Sequence, residues 1–213
     1  MKIQPIVEGH GEVHAVPVLL RRLRDASGAF EIDVLRPARH SRFDLADEAM
    51  LRHIIRRTLE QKLCHGILIL FDGDDACPRE LAPRVQSWAT EEAGTVPCAV
   101  VIAQREYESW LLASIESLRG QHGVRTDAIP PPDPESVRGA KEKIANNLRE
   151  DRLYKPTSDQ AALTFLFDMA AAYRSCRSFR RMVRAFGLLA EGAGIPLKDW
   201  PPPSWLGPGE DLP

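Results

Sequence analysis

The sequence lacks a surplus of either charge: 28 Lys and Arg stand against 30 Asp and Glu in 213 residues, a formal net charge of −2. A chain so balanced has no overall pull on a polyanion, which excludes a dedicated non-specific DNA coat protein. It also lacks any apolar run near the roughly 18 to 20 residues that a membrane span needs. Its opening residues, MKIQPIVEGHGE, hold no signal-peptide core, so a cytoplasmic protein with no membrane partner is expected. Cysteine is scarce, and Cys64, Cys77, Cys98 and Cys176 form no CxxC pair. That excludes a disulfide framework and a zinc knuckle and leaves reduced, mostly buried thiols. Gly9-His10-Gly11 lacks the third glycine of a dinucleotide fingerprint, and no Walker A sequence occurs, which speaks against an intrinsic ATPase. Asp72-Gly73-Asp74-Asp75 opens like a calcium loop, but Cys77 stands where its glycine should be and Pro83 where its last glutamate should be.

What the chain has is enough apolar material for one good core: 44% hydrophobic against 27% charged residues. Its first half alternates short apolar runs with amphipathic ones, the pattern of parallel strands joined by crossover helices. Strands are expected at Ile3–Val7, Phe30–Leu35, Gly66–Phe71 and Cys98–Ala103. Gly66–Phe71 is uninterrupted, as in a strand buried on both faces. The first helix should begin near Ala15 or Val16, because Pro17 is tolerated only in a first turn. The next should run over Leu45–Leu63 behind an Asp44 N-cap. Further helices are expected from about Pro78 to Glu92 and over Tyr107–Leu118. A polar stretch closing in IPPPDP then leads to helices at Ser136–Leu148, Ser158–Tyr173 and Ser178–Leu189.

The expected fold is therefore α/β, a mainly parallel four-stranded sheet flanked by helices, with an α-helical C-terminal extension. Residues 1–118 form the α/β domain, 119–134 a Pro-rich connection, 135–199 a helical portion packed on it, and 200–213 a Pro-rich tail, extended on the surface or disordered.

Ligands of open α/β sheets bind outside the carboxyl ends of the strands. Three such ends carry acid: Glu8 and Glu12, then Asp72, Asp74 and Asp75, then Glu106 and Glu108. Any one of these is as readily a helix cap as a functional group. Three strand ends with one chemistry go beyond capping, and a self-repelling carboxylate cluster calls for hard divalent ions such as Mg²⁺ or Mn²⁺, one or two of them. His10 and His14 lack a third nitrogen or sulfur ligand and read as surface histidines.

Between Asp168 and Glu191 there is no acid, yet Arg174, Arg177, Arg180, Arg181 and Arg184 fall there. On a helix Arg177, Arg181 and Arg184 share one face, opposite Phe179, Met182, Val183 and Phe186. Arg174, Arg177, Arg181 and Arg184 are candidates for nucleic-acid phosphates. A solvated helix, or one paired with acids of the sheet domain, is the plainer alternative. Lys141, Lys143 and Lys155 could extend a phosphate track, and Trp110 and Tyr107 read as core.

A strand ending in Val7-Glu8-Gly9 with Glu12 close behind, followed by a hydrophobic strand ending in Asp72-Gly73-Asp74, resembles the Toprim domain of topoisomerases, bacterial primases and nucleases of the overcoming-lysogenization-defect family. The resemblance covers about residues 1 to 118. The segments Arg105–Ala113 and Ser175–Arg181 look more closely like an uncharacterised bacterial family of small Toprim-like proteins encoded beside ATPases in phage-defence loci. The resemblance implies a metal-dependent nuclease serving as effector of an anti-phage system with a partner ATPase. In it Glu8 is the general acid or base or a metal ligand, and Asp72 and Asp74 are the metal pair. Glu12 is a second catalytic candidate, and Asp75, Glu106 and Glu108 are further ligand candidates. No tyrosine stands in a nucleophile context, which favours hydrolysis by water. A non-catalytic module recognising a partner protein or nucleotide is the alternative.

Overall fold

A computed structural model describes residues 1–61 and 63–207, the side chain of Pro78 excepted. Five strands, β1 (Lys2–Val7), β2 (Asp33–Val34), β3 (Ala38–Arg39), β4 (Gly66–Asp72) and β5 (Cys98–Ala103), form one parallel sheet. The order is β2-β1-β4-β5, with β3 also paired to β1. The outer strand expected as Phe30–Leu35 is thus only Asp33–Val34, and an unexpected short strand at Ala38–Arg39 gives the sheet five strands where four were expected. Pro37, which has no N–H to give a ladder, sits between these two short strands. The buried Gln4 side chain spans the gap by donating to the Arg36 carbonyl at 3.0 Å.

Alternation along β4 explains its apolar run. Ile67, Ile69 and Phe71 join one hydrophobic cluster, and Leu68 and Leu70 join the other. The first face is covered by α3 (Glu48–Gln61) and α4 (Pro78–Ala93). The second is covered by α1 (Glu12–Ser27), α5 (Glu108–Ala113) and α9 (Arg177–Gly192). The C-terminal helices therefore complete the main core: α9 lies directly on β4 and β5.

Local chemistry moved several boundaries. Helix α1 starts at Glu12, three residues ahead of Ala15, because the Glu12 carboxylate accepts the Gly9 N–H and the Gly9–Gly11 turn leads straight into the helix. Pro17 lies inside it. The expected Leu45–Leu63 helix is two: Ser41, not Asp44, caps α2 (Arg42–Ala46), Asp44 completes the capping box, and extended Asp47 separates α3. Tyr107–Leu118 becomes α5 and a 3₁₀ turn at Ile115–Leu118. Further on, α6 (Ala140–Asn146) starts after Gly139, whose φ of 65° favours glycine. The expected Ser158–Tyr173 helix is a wide turn at Pro156–Gln160, α7 (Ala161–Leu166) and α8 (Met169–Ser175), the last capped by Asp168.

Two expectations fail on burial. Of the four free thiols only Cys176 is buried, and Cys77 is exposed. Residues 200–207 are not a loose tail: Trp205 is buried, and the Trp200 ring packs at a tilt against Phe186 and Trp205 and donates to the Val183 carbonyl. That ring comes so close to Gly187 that a Cβ there would meet it at 2.8 Å. Residues 208–213 of the expected tail lie outside the described residues. Tyr107 and Trp110 are core, as expected, and among the described residues no helix is long and apolar enough to cross a membrane.

A buried carboxylate ties the C-terminal helices to the sheet domain. Glu135 accepts the amides of Arg177 and Ser178 at 2.8 Å each, capping α9, and also the Ser178 hydroxyl. That hydroxyl accepts the Trp110 indole N–H at 2.8 Å. Glu135→Ala should lower unfolding stability by about 1–3 kcal/mol, read as a lower Tm and denaturation midpoint. Glu135→Gln, which keeps one acceptor oxygen, should lose clearly less.

Candidate metal and phosphate site

Because the strands are parallel, their carboxyl ends share one edge of the sheet, and the acids that follow them converge. Val7 pairs with Leu70 and Asp72 with Ala103, so Glu8, Asp72 and the turn after β5 lie side by side. The Asp72 amide donates to Glu8 Oε2 at 3.2 Å, and Asp72 Oδ1 accepts the Tyr107 amide at 2.9 Å. Glu12 arrives from the first turn of α1 and Glu108 from the first turn of α5. Glu12, Asp72 and Glu108 are buried and Glu8 half-buried.

One cation enters this group. Lys141, near the start of α6, places Nζ 3.3 Å from Asp72 Oδ2, 3.6 Å from Glu106 Oε2 and 3.9 Å from Glu108 Oε2. Glu106 determines that placement, because its carboxylate accepts the Ala140 and Lys141 amides at 2.9 and 3.2 Å. The far side of Glu108 is held by Tyr154, whose hydroxyl donates to Oε1 at 2.8 Å, and by Gln160, which donates to the same oxygen at 3.2 Å. Glu108 Oε2 is buried with no hydrogen-bond partner among the described residues.

One ammonium among so many acids leaves the centre short of positive charge. Burial first, then the charges of Glu108 and Glu8, push Glu12 up to about 7. Burial and the Glu12 charge push Asp72 well above the usual carboxylate range. Burial raises Glu108 against the pull of Lys141. It also raises Glu8, with Asp74 adding to the shift and the Asp72 amide opposing it. Burial works against the charge of Lys141, yet Asp72, Glu108 and Glu106 outweigh it and raise its pKa.

The remaining expected residues lie around this centre. Arg42 donates to the Asp72 and Gly73 carbonyls and lies 3.5 Å from the exposed Asp74 carboxylate. Asp74 and Arg105 hold left-handed backbone, φ 47° and 63°, and are joined by an amide-to-carbonyl bond of 3.0 Å. Such conformations cost energy for non-glycine residues and cluster at functional sites. Asp75 faces outward, paired with Arg105 at 2.6 Å and Arg138 at 3.1 Å. His10 and His14 are exposed. Arg174 is on α8, and Arg177, Arg181 and Arg184 form the exposed stripe of α9, outside this centre and opposite buried Phe179, Met182, Val183 and Phe186.

The donor set suits a hard divalent ion in chemistry: all oxygen, excess negative charge and a buried carboxylate oxygen that accepts no hydrogen bond among the described residues. It is not a finished ligand sphere. Among the described residues no group of three or more His, Cys, Asp or Glu side chains is arranged to hold a metal, and Lys141 stands where positive charge is needed. Glu8, Asp72 and Glu108 are the carboxylates that would have to close around an ion, with Asp74 at the rim.

Sequence reading missed Tyr154 and Gln160 at Glu108 and the central position of Lys141. None follows a strand, Tyr154 lies between the expected helices, and Gln160 falls in the first turn of the expected Ser158–Tyr173 helix, where nothing local points it at Glu108. The capping role of Glu106 was likewise invisible, because its helix begins 34 residues later.

A family model described as "Domain of unknown function (DUF4276)" matches residues 7–186, a span that includes every residue of this centre. No curated protein and no solved structure matches the chain.

The raised carboxylates make the metal-free protein sensitive to pH. Between about pH 4.5 and 7 the folded Glu12 binds more protons than the unfolded one, so stability must fall as pH rises through that window. The Glu12 contribution is on the order of 3 kcal/mol. Denaturant unfolding in EDTA should show that decline, and Glu12→Gln should make it shallower, leaving the part that Asp72, Glu108 and Glu8 supply.

Proposed function

The chain belongs to the DUF4276 family, whose description names no activity, and from that starting point we propose that it is a Mg²⁺- or Mn²⁺-dependent nuclease hydrolysing phosphodiesters of nucleic acid. The observation that carries the reading is the convergence of Glu8, Glu12, Asp72 and Glu108 from three strand ends around one lysine, with their pKa values raised. Glu8, Asp72 and Glu108 would hold the ion. When bound, it would polarise a phosphoryl oxygen and lower the pKa of water. Glu12, poised near 7, is suited to take a proton from the attacking water or give one to the leaving oxygen. Lys141 can offset charge developing on the phosphate, held in place by Glu106. The charge of Asp74 at the rim adds to the upward shift of Glu8, and Asp75 orients Arg105 and Arg138.

The Toprim-like reading of the fold rests on Glu8 after β1 and Asp72-Gly73-Asp74 at the end of its parallel neighbour β4. The effector role in phage defence with a separate ATPase, and a cytoplasmic location, rest on the sequence reading alone. One observation favours the non-catalytic alternative: Lys141 already neutralises part of the centre without a metal.

Saturating Mn²⁺ or Mg²⁺ should raise Tm, by an amount equivalent to about 2.7 kcal/mol at a hundred times Kd, and Asp72→Asn should abolish the response. Purified protein with Mn²⁺ should cleave DNA or RNA, and Glu8→Gln should slow cleavage about a hundredfold or more. Cleavage untouched by Glu8→Gln removes that residue from the mechanism. Stabilisation by the ion without cleavage of any nucleic acid favours the binding module.

A further inference from the structure

The order of the strands places basic grooves on both sides of the carboxylate centre. Beyond β1, at the β3 edge, a groove of about 330 Å³ is lined by His10, His14, Arg36, Arg39 and Thr157. Beyond β4 and β5, a groove of mixed charge, about 240 Å³, is lined by Asp74, Asp75 and Glu106 together with Arg105 and Arg138. It shares Asp75 and Arg105 with a larger one of about 590 Å³, to which Arg79, Arg177 and Arg181 contribute. Arg177 and Arg181 are also the near wall of a fourth groove of about 480 Å³ that continues along α9 to Arg184. Of the acids along this path, Asp75 pairs with Arg105 and Arg138, Asp74 with Arg42, Glu106 and Glu135 accept the first amides of α6 and α9, Asp133 accepts the Glu135 amide, and Glu191 lines the fourth groove beyond Arg184. Among the described residues the guanidinium groups of Arg36, Arg39, Arg177 and Arg181 donate no hydrogen bond and pair with no carboxylate, and all four residues are exposed.

The geometry points to a polyanion path along the carboxyl edge of the sheet, seated on two arginine-bearing flanks with the carboxylate centre between them. From β3 to β5 is three inter-strand steps, about 14 Å, so phosphates seated on both flanks leave several nucleotides between them. A site that holds the chain on both sides has no need of a strand end. We infer that the substrate is a single nucleic-acid strand cut internally, as by an endonuclease. A single strand suits grooves in series better than a stiff duplex does, and arginines that bond phosphate bidentately supply affinity without reading sequence. This inference takes its reacting centre from the proposed nuclease function and its flanks from geometry alone.

Two measurements separate those parts. In the first, a labelled 16-nucleotide single strand is titrated with the protein in EDTA and again in Ca²⁺, across a range of salt. Arg36→Ala with Arg39→Ala, and separately Arg177→Ala with Arg181→Ala, should each weaken binding about tenfold and lower the log–log salt slope by about 1.4. No binding by the unaltered protein, a loss with one pair only, or equal competition by anionic vesicles would overturn the track. In the second, circular single-stranded DNA and its linear form are incubated with Mn²⁺. Opening of the circle at a rate near that of the linear strand supports internal cutting, and cleavage of the linear form alone overturns it. Binding that responds to both pairs with no cleavage of either form leaves the track standing and removes the nuclease reading.

Discussion

Everything at the carboxyl edge of the sheet depends on one charge imbalance: buried carboxylates outnumber the single ammonium that reaches them. Burying acids is costly unless charge or hydrogen bonds compensate. The compensation here is partial, supplied by Lys141, by the Tyr107 and Asp72 amides, and by Tyr154 and Gln160 on Glu108. Burial first, and then the residue of that imbalance, raises Glu12 and Asp72. An arrangement that served stability alone would pair these acids or expose them. This one keeps a buried oxygen of Glu108 without a donor and a proton poised near neutrality on Glu12.

The fold maintains that tension because the edge is rigid. Both faces of β4 are packed, one by α3 and α4 and the other by α1, α5 and α9, so strand ends have little freedom to move apart. The second face is finished by segments far along the chain. Glu135 stitches α9 to the sheet domain through Ser178 and Trp110, and Trp200 closes over α9 at Gly187. Sinking the apolar side of α9 into this core necessarily turns its arginines outward, where they line grooves on one flank of the acidic centre. A near-neutral total thus conceals two opposed local fields.

Much of the architecture was legible in the chain. Gly66–Phe71 announced itself as a buried strand and Cys98–Ala103 as a strand, and Glu8 and Asp72 stood out because strand ends are where α/β sheets gather chemistry. Boundaries fared worse where a side chain overrode periodicity, as Glu12 did by closing the turn at Gly9 and Ser41 by capping ahead of Asp44. The Pro-rich end read as loose from composition, yet through Gly207 its tryptophans pack, because burial of a ring depends on a surface that composition does not describe.

The sequence by itself determined the parallel α/β class, the apolar stripe of α9 and which acids follow strands, because periodicity and strand termination are local properties of the chain. Only the tertiary structure decided which of those acids share a site. It separated Glu8, Glu12, Asp72 and Glu108, drawn together within interaction range, from Glu106, spent on the amides of α6, and Asp75, turned to Arg105 and Arg138. It also brought Lys141, 69 residues beyond Asp72, into their midst. Partnership between distant side chains follows from strand order and helix packing, and neither is written in the spacing of residues along the chain.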